Sequence, residues 1–316
     1  MRTTTAVPSL LALAALTSTA ALAQEAASTA PDTNESAIAT DPDESPWDRD
    51  YLHRWTVRFE PAAYFVAPAG DLTLPGGGAA SLGSATAELD TLNLNDPVIA
   101  PFGEIHFASE RWRVSLSGFG FEGEGEGRAD FTGNFGGMPV FRGETVETDF
   151  GYQSYQVSAS YRFLDYADGQ AKRPGVYRVS FAVDAVLGAR LHHYDIESSV
   201  TPTATGARGL LAATPALETD ISETFAEPFA GLRLDVDLSR RFQFDVELTA
   251  GAFEIDDHSS YAFDVNAGFG IRITDNLAAL AGFRILFVSA ESGSGSDSFE
   301  FDGSYSGLYW GLQADF

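Results

Sequence analysis

The chain has 316 residues, a net charge of −26, 44% hydrophobic residues and no cysteine. The acid excess argues against nucleic acid as a partner and against simple adhesion to anionic lipid. The lack of cysteine excludes disulfides and thiolate metal sites. No apolar run reaches the roughly 18 residues of a spanning helix.

The N-terminal segment has the features of an export signal. Arg2 precedes the Leu/Ala-rich stretch VPSLLALAALTSTAALAQ, and Ala21-Leu22-Ala23 fits the small-x-small cleavage rule. A buried core helix is the alternative, but the stretch has no polar face. We therefore predict a secretory signal peptide over residues 1–23, cleaved before Gln24.

Residues 24–53 form a different kind of segment, rich in Asp, Glu, Ser, Thr, Ala and Pro and nearly free of large apolar side chains. Such a composition cannot bury enough apolar surface to order a chain. The prediction is a disordered acidic tether in the periplasm, followed by a single domain over residues 54–316.

From Arg54 onward the sequence alternates strictly between apolar and polar residues. Trp55, Val57 and Phe59 share one face, whereas Arg58 and Glu60 share the other. Period two is typical of strands that meet different environments on their two faces. Ten segments show this pattern: 54–66, 98–107, 111–123, 145–164, 175–195, 221–238, 241–254, 260–273, 277–290 and 303–316.

One of these segments carries an irregularity. Its apolar face shifts parity around Gly118, from Trp112 and Leu116 to Phe119 and Phe121. Because an extra residue in one strand reverses the facing of all later side chains, this shift predicts a β-bulge.

The connections between segments alternate in length along the chain. Those after the second, sixth and eighth segments are very short, that after the fourth is a polar turn, and the others are longer and rich in Gly, Ser, Thr and acids. This alternation is typical of up-and-down antiparallel strands with all long loops at one end. We predict an all-β, ten-stranded antiparallel up-and-down barrel, with eight or twelve strands as alternatives.

A soluble barrel and a transmembrane barrel differ in which face is apolar. Segments of ten to twenty residues are long enough to cross a bilayer at a tilt, and aromatic residues collect near their ends, as interfacial girdles require. The polar face mixes both charges, which can pair across a narrow lumen. We therefore predict a transmembrane barrel with this lumen charge network: Arg58, Glu60, Glu104, Arg113, Arg178, Asp184, Arg190, Arg233, Asp235, Asp237, Asp245, Glu247, Asp264, Arg272 and Arg284.

The last segment, residues 303–316, has a distinctive pattern. It ends on an aromatic residue, with apolar residues at alternate positions before it and a glycine upstream. Together with the signal peptide and paired strands, it resembles the Gram-negative outer-membrane β-barrel proteins, although Ala314 stands where that class often has a larger residue. The resemblance implies the outer membrane as location and recognition by the barrel-assembly machinery through Gly307, Leu308, Trp310, Leu312 and Phe316.

Two groups of residues are candidates for a catalytic or a metal-binding site. Asp256 and His258 form an Asp-x-His pair that is similar to half of the catalytic site of the omptin-type outer-membrane proteases. The opposing aspartate pair is missing, because Asp235 and Asp237 are expected at the other end of the barrel. A solvated turn is the alternative interpretation.

The second group is Glu122, Glu124 and Glu126, which alternate with glycines. They share one face where a strand is expected to run out into a flexible acidic loop. Such carboxylates can bind a divalent cation weakly. Carboxylates would repel phosphate, which argues against a phosphate-binding loop.

The sequence thus favours a non-enzymatic structural or surface protein with a narrow, charge-laced lumen. The alternatives are a small-solute, porin-like channel and, last, a hydrolase at the barrel rim. No cofactor is predicted. The predicted partners are outer-membrane lipid, lipopolysaccharide and the assembly machinery, and the expected state is a monomer.

Overall fold

A computed structural model describes residues 55–76, 83–109, 111–167, 179–201, 217–239, 241–274 and 276–316. The predicted signal peptide and tether lie outside these ranges. In the part of the chain so described, no helix is long and apolar enough to cross a bilayer.

The described chain is a closed ring of ten antiparallel strands. Each ring strand pairs with its neighbours along the chain, and the last pairs with the first. The ring strands are β1 (Thr56–Thr73), β3 (Val98–Ser109), β4 (Trp112–Arg128), β7 (Thr145–Ala167), β8 (Ser180–Thr201), β9 (Leu217–Asp237), β10 (Phe242–Ile255), β11 (His258–Arg272), β12 (Leu277–Ser292) and β13 (Phe299–Asp315). The ten-stranded up-and-down barrel is confirmed.

Within the described ranges, three small strands and one helical turn lie in the long connections. Strand β2 (Thr86–Glu88) adds to the end of β1, and β5 (Gly133–Phe135) forms a hairpin with β6 (Met138–Val140). A 3-10 helix, Gly295–Asp297, precedes β13. All of these lie at one end, which we call the long-loop end; the opposite end is the short-turn end.

The outer face of the ring carries an apolar belt toward the short-turn end. Its residues are exposed although they are large and apolar, which a lipid environment explains and water does not. The exposed belt includes Trp55, Phe65, Ile99, Phe107, Trp112, Val114, Leu116, Tyr155, Val157, Tyr161, Leu187, Leu191, Leu232, Phe242, Phe263, Phe269, Phe283, Leu308, Trp310 and Leu312. The chain is therefore a transmembrane β-barrel.

The barrel wall continues beyond this belt on one side. Strands β7, β8 and β9 have 23, 22 and 21 residues, against 12 in β3. Along β8 the outward residues change from Leu187 and Leu191 to Asp195 and Glu197. Because carboxylates are unfavourable in lipid, this change marks where the wall leaves the bilayer at the long-loop end.

Aromatic side chains fill the lumen in the half toward the long-loop end. We call this set the aromatic plug: Phe121, Phe150, Tyr152, Tyr194, Phe225, Phe299, Phe301 and Tyr305, all buried. The rings contact one another, as in the stacked pair Tyr152–Tyr305 with centroids 4.0 Å apart. Buried residues of the loops, including Leu89, Leu92 and Phe135, extend the same hydrophobic core.

The plug corrects the prediction of a bulge at Gly118. The pairing of β4 with β3 and with β7 runs in continuous register through this point. Trp112 and Leu116 face the lipid, whereas Phe119 and Phe121 face the lumen. The apolar face changes because the lumen itself becomes apolar, so no extra residue is needed. The register shift that does occur lies in β7, between Arg162 and Leu164.

The seam between the first and last strands closes the ring down to the final residue. Val57 N–H donates to the Phe316 carbonyl at 3.1 Å, and Phe316 N–H donates to the Val57 carbonyl at 2.8 Å. Leu308, Trp310 and Leu312 point outward, and Tyr305, Tyr309 and Gln313 point into the lumen. With both strand edges paired, the sheet has no free edge along the seam.

Candidate functional site

Below the plug, the lumen is crossed by a buried layer of ions. Arg190 on β8 has no solvent exposure. Its guanidinium lies 3.2 Å from Glu227 Oε1 on β9 and 2.9 Å from Asp264 Oδ2 on β11. Arg284 on β12 binds both oxygens of Asp264, at 3.1 and 2.6 Å. We call Arg190, Glu227, Asp264 and Arg284 the ion-pair layer.

Further polar groups complete this layer. Gln156 Oε1 accepts from Arg190 Nη2 at 3.0 Å, as does Thr249 Oγ1. Ser260 donates to Glu227 Oε2 at 3.1 Å. Buried charges are tolerated when they are paired and hydrogen-bonded, and here two positive charges meet two negative ones.

Between the layer and the short-turn end lies a cavity of about 350 Å³, which we call the vestibule. Its walls hold further ion pairs. Arg113 and Arg162 both contact Asp235, at 2.7 and 3.2 Å, and Arg162 also contacts Asp184 at 2.9 Å. Arg272 contacts Asp237 at 2.9 Å.

Carboxylates outnumber guanidinium groups around the vestibule. The arginines there are Arg58, Arg111, Arg113, Arg162, Arg233 and Arg272. The carboxylates are Glu60, Glu104, Asp165, Asp184, Asp235, Asp237, Asp245, Glu247 and Asp315. An excess of negative charge in a low-dielectric cavity attracts cations.

The structure places the candidate residues for hydrolysis at opposite ends of the barrel. Asp256 and His258 lie at the two-residue turn between β10 and β11, at the long-loop end, and both are exposed. Asp235 and Asp237 border the vestibule at the opposite end. Asp256 has a φ of 51°, the left-handed conformation that tight hairpins require. The geometry therefore explains Asp256 as a turn residue.

The candidate metal residues Glu122, Glu124 and Glu126 lie within β4 and not in a loop. Their side chains point outward, away from the lumen. Glu124 begins a row of directly opposed acids across four strands, which we call the carboxylate row: Glu124, Asp149, Glu197 and Asp220.

Arg178 lies outside the described residues, and the other residues of the predicted lumen charge network face the lumen. The sequence-derived network omits several contributors, among them Arg162, Glu227 and His106. Glu227 was detectable, because it has the same parity as Arg233 on β9. Arg162 lies beside the register shift in β7, where alternation becomes a poor guide.

No protein-family model matches the chain, and no curated protein matches it either. Among solved structures, the chain is similar to the outer membrane protease OmpT from Escherichia coli, with a TM-score of 0.47, 10% identity, and coverage of 83% of this chain and 97% of that one. Neisserial surface protein A matches with a TM-score of 0.27, 15% identity, and coverage of 83% and 97%.

The attachment invasion locus protein Ail of Yersinia pestis gives a TM-score of 0.26 and 10% identity, covering 82% of this chain and 99% of its own. These identities and TM-scores are too low to assign a function.

Proposed function

We propose that this protein is a closed, non-enzymatic structural or surface protein of the Gram-negative outer membrane. The short turns then face the periplasm, and the long-loop end with its acidic wall faces the exterior. Its contacts are with membrane lipid and lipopolysaccharide, and it acts as a monomer.

The observation that carries this proposal is the aromatic plug. A channel needs a continuous wet path, and its lumen is polar. Here Tyr194, Phe299 and Phe301 are fully buried among other rings. Tyr194 lies 5.2 Å from Phe301 and 5.4 Å from Phe299 between ring centroids, which leaves a packed core in that half of the lumen.

The ion-pair layer supports the same conclusion. Arg190 and Arg284 both contact Asp264 Oδ2 within the lumen, at 2.9 and 2.6 Å. Permeating ions would have to break charge-assisted hydrogen bonds between buried partners, which are the strong ones in proteins. Two successive barriers, one apolar and one ionic, separate the vestibule from the exterior.

Single-channel recording in planar bilayers tests the proposal. The purified, refolded protein is expected to give no stepwise current, because the plug and the ion-pair layer leave no aqueous path. Vesicle flotation confirms insertion of the same preparation. Reproducible conductance steps from inserted wild-type protein would contradict the closed state and favour the porin-like channel.

A further inference from the structure

A cluster at the vestibule wall has the composition of a metal site. Glu60 on β1 lies directly opposite Glu104 on β3, and His106 follows two residues later on the same face of β3. One carboxylate oxygen of each glutamate and a nitrogen of His106 lie within 4.8 Å of one another.

His106 is oriented for a ligand role. Its side chain is buried, with 5% of the residue exposed, and its Nδ1 lies 2.7 Å from Ser115 Oγ, its cross-strand partner on β4. With the proton on Nδ1, this nitrogen donates to the serine and the lone pair of Nε2 points toward the two carboxylates. A ligating histidine is commonly held by a hydrogen bond from its other nitrogen in this way.

The contacts of Nε2 leave a gap of the right size. Nε2 lies 3.6 Å from Glu104 Oε1 and 3.8 Å from Glu60 Oε2. Both distances exceed a hydrogen bond, and within the described ranges Nε2 has no hydrogen-bond partner. In the tautomer with the proton on Nδ1, the Nε2 lone pair faces two carboxylates, which is unfavourable unless a cation lies between them.

The neighbouring arginines do not neutralise these two glutamates fully. Arg58 lies 3.7 Å from Glu60, but its shorter contact is to Asp315 at 2.8 Å. Arg233 Nη2 donates a hydrogen bond to Glu104 Oε1 at 3.3 Å, and Arg233 Nε lies 2.9 Å from Glu247 Oε2. Each arginine is therefore shared between two carboxylates, so that Glu60 and Glu104 keep part of their negative charge for another cation.

We propose that Glu60, Glu104 and His106 bind one divalent transition-metal ion of the zinc type, which enters from the short-turn end. Zinc takes nitrogen and carboxylate oxygen ligands at about 2.0–2.2 Å in a tetrahedron, which puts neighbouring ligand atoms roughly 3.4 Å apart. The observed distances of 3.6 and 3.8 Å need only a small contraction.

The surroundings suit such an ion. The three residues line the vestibule, which supplies an entry path and room for a water at a fourth position. The negative charge around the cavity favours a cation over an anion. This site does not depend on whether the lumen conducts, because it lies between the ion-pair layer and the short-turn end.

The test uses untagged, refolded protein in detergent, because a polyhistidine tag would itself bind zinc. Isothermal titration with Zn²⁺ alone is expected to show one ion per chain. Titration with Co²⁺ alone is expected to give the visible absorption of a low-symmetry, nitrogen-containing site. Both signals are expected to be lost in His106→Ala and in Glu104→Gln.

Two further variants separate ligand loss from general damage. Ser115→Ala retains all three ligands but frees the imidazole, so we expect Zn²⁺ affinity to fall about 10-fold or more. His258→Ala removes an exposed histidine at the long-loop end and is the matched control, with unchanged affinity. The heat-dependent gel shift of each variant verifies that the barrel has folded.

Three results would overturn the proposal. They are no Zn²⁺ binding by the folded wild type, binding that survives in folded His106→Ala, and binding that falls equally in the His258→Ala control. If His106→Ala does not fold, Ser115→Ala becomes the deciding variant. An unchanged Zn²⁺ affinity in Ser115→Ala would then contradict the proposed role of His106 as a ligand.

Discussion

At Arg190 the chain places a fully buried guanidinium among four neighbouring strands. Gln156 of β7, Glu227 of β9, Thr249 of β10 and Asp264 of β11 all contact it. The ring of Phe229 also lies beneath the guanidinium, 5.1 Å away. One side chain therefore ties a contiguous part of the barrel wall together through the lumen.

We predict that Arg190→Met lowers the free energy of unfolding by about 3–5 kcal/mol, because it leaves the buried Glu227 carboxylate without its guanidinium partner. Urea unfolding from lipid vesicles, followed by tryptophan fluorescence, measures the loss. The double variant Arg190→Met/Glu227→Gln removes both charges and is expected to recover much of it.

The exposed Arg128→Ala controls for the loss of a positive charge as such and is expected to change stability by less than about 0.5 kcal/mol. If the double variant were as unstable as Arg190→Met alone, the loss would come from packing and not from an unpaired carboxylate.

Among the elements, the extended walls of β4, β7, β8 and β9 concentrate negative charge. In the carboxylate row, Glu197 is directly opposite both Asp149 and Asp220. Like charges at directly opposed positions destabilise a sheet. The strands still pair there because their inward faces, with Phe150 and Ile196, are buried in the core.

We therefore predict that Glu197→Gln increases stability at low ionic strength by roughly 0.2–1 kcal/mol, since it removes the central charge of the row. Thermal unfolding in detergent with and without salt measures this gain. Near 1 M salt, where the screening length is about 3 Å, the difference from wild type is expected to vanish.

Asp257→Asn is the control for this prediction, because Asp257 lies in the β10–β11 turn and faces no cross-strand carboxylate. A gain for Glu197→Gln that persisted at high salt, or an equal gain for Asp257→Asn, would rule out cross-strand repulsion as the cause.

On the scale of the whole molecule, the ring depends on one long-range pairing, between the two ends of the barrel sequence. β1 and β13 pair from Arg58–Asp315 to Thr73–Glu300. Gly307 allows close approach at this seam, since a Cβ there would overlap the Phe65 carbonyl. Without this seam, both strands would present free edges within lipid, where unpaired backbone groups are costly.

We predict that deleting Phe316 reduces assembly in cells more than it reduces spontaneous refolding in detergent. Deletion removes the last two backbone hydrogen bonds to Val57 and, by the resemblance to outer-membrane proteins, the terminal aromatic of the assembly signal. The fraction of heat-modifiable protein on gels, compared between cell membranes and refolded samples, measures both effects.

A matched substitution is Phe283→Ala, which shortens an exposed side chain on the neighbouring strand β12, outside the assembly signal, and is expected to assemble in cells as wild type does. If the Phe316 deletion assembled in cells as well as wild type does, the terminal residue would not be part of the assembly signal. If the wild-type protein showed no heat-dependent gel shift, that result would contradict the β-barrel fold.

Much of the fold could be predicted because alternation is a local property. In a strand, neighbouring side chains point to opposite faces whatever the strand pairs with. The number of strands follows from this rule, as does the separation of Trp310 and Leu312 from the face that carries charged residues such as Arg190 and Asp264. Strand length, the aromatic residues near strand ends and the mixed charges indicated which face is outside. The alternating loop lengths supplied the up-and-down order.

The contents of the lumen could not be predicted in the same way. Alternation states that Phe119 and Phe121 share a face, but it does not state that this face is inside. That assignment depends on the neighbouring strands, which bring Tyr152 and Tyr305 against them. An apolar stretch on the inner face therefore looked like an irregular strand in the sequence.

The pairing of charged groups shows most clearly what the sequence predicts and what only the tertiary structure determines. Period two already places Glu60, Glu104 and Arg190 on the polar face. Their partners follow from strand register and from the curvature that closes the ring, which bring residues distant along the chain into contact. For that reason the alternation, together with the strand lengths and the aromatic girdles, predicts a transmembrane barrel with a charged lumen, whereas the plug, the ion-pair layer and the position of His106 beside two glutamates arise only when the ring closes.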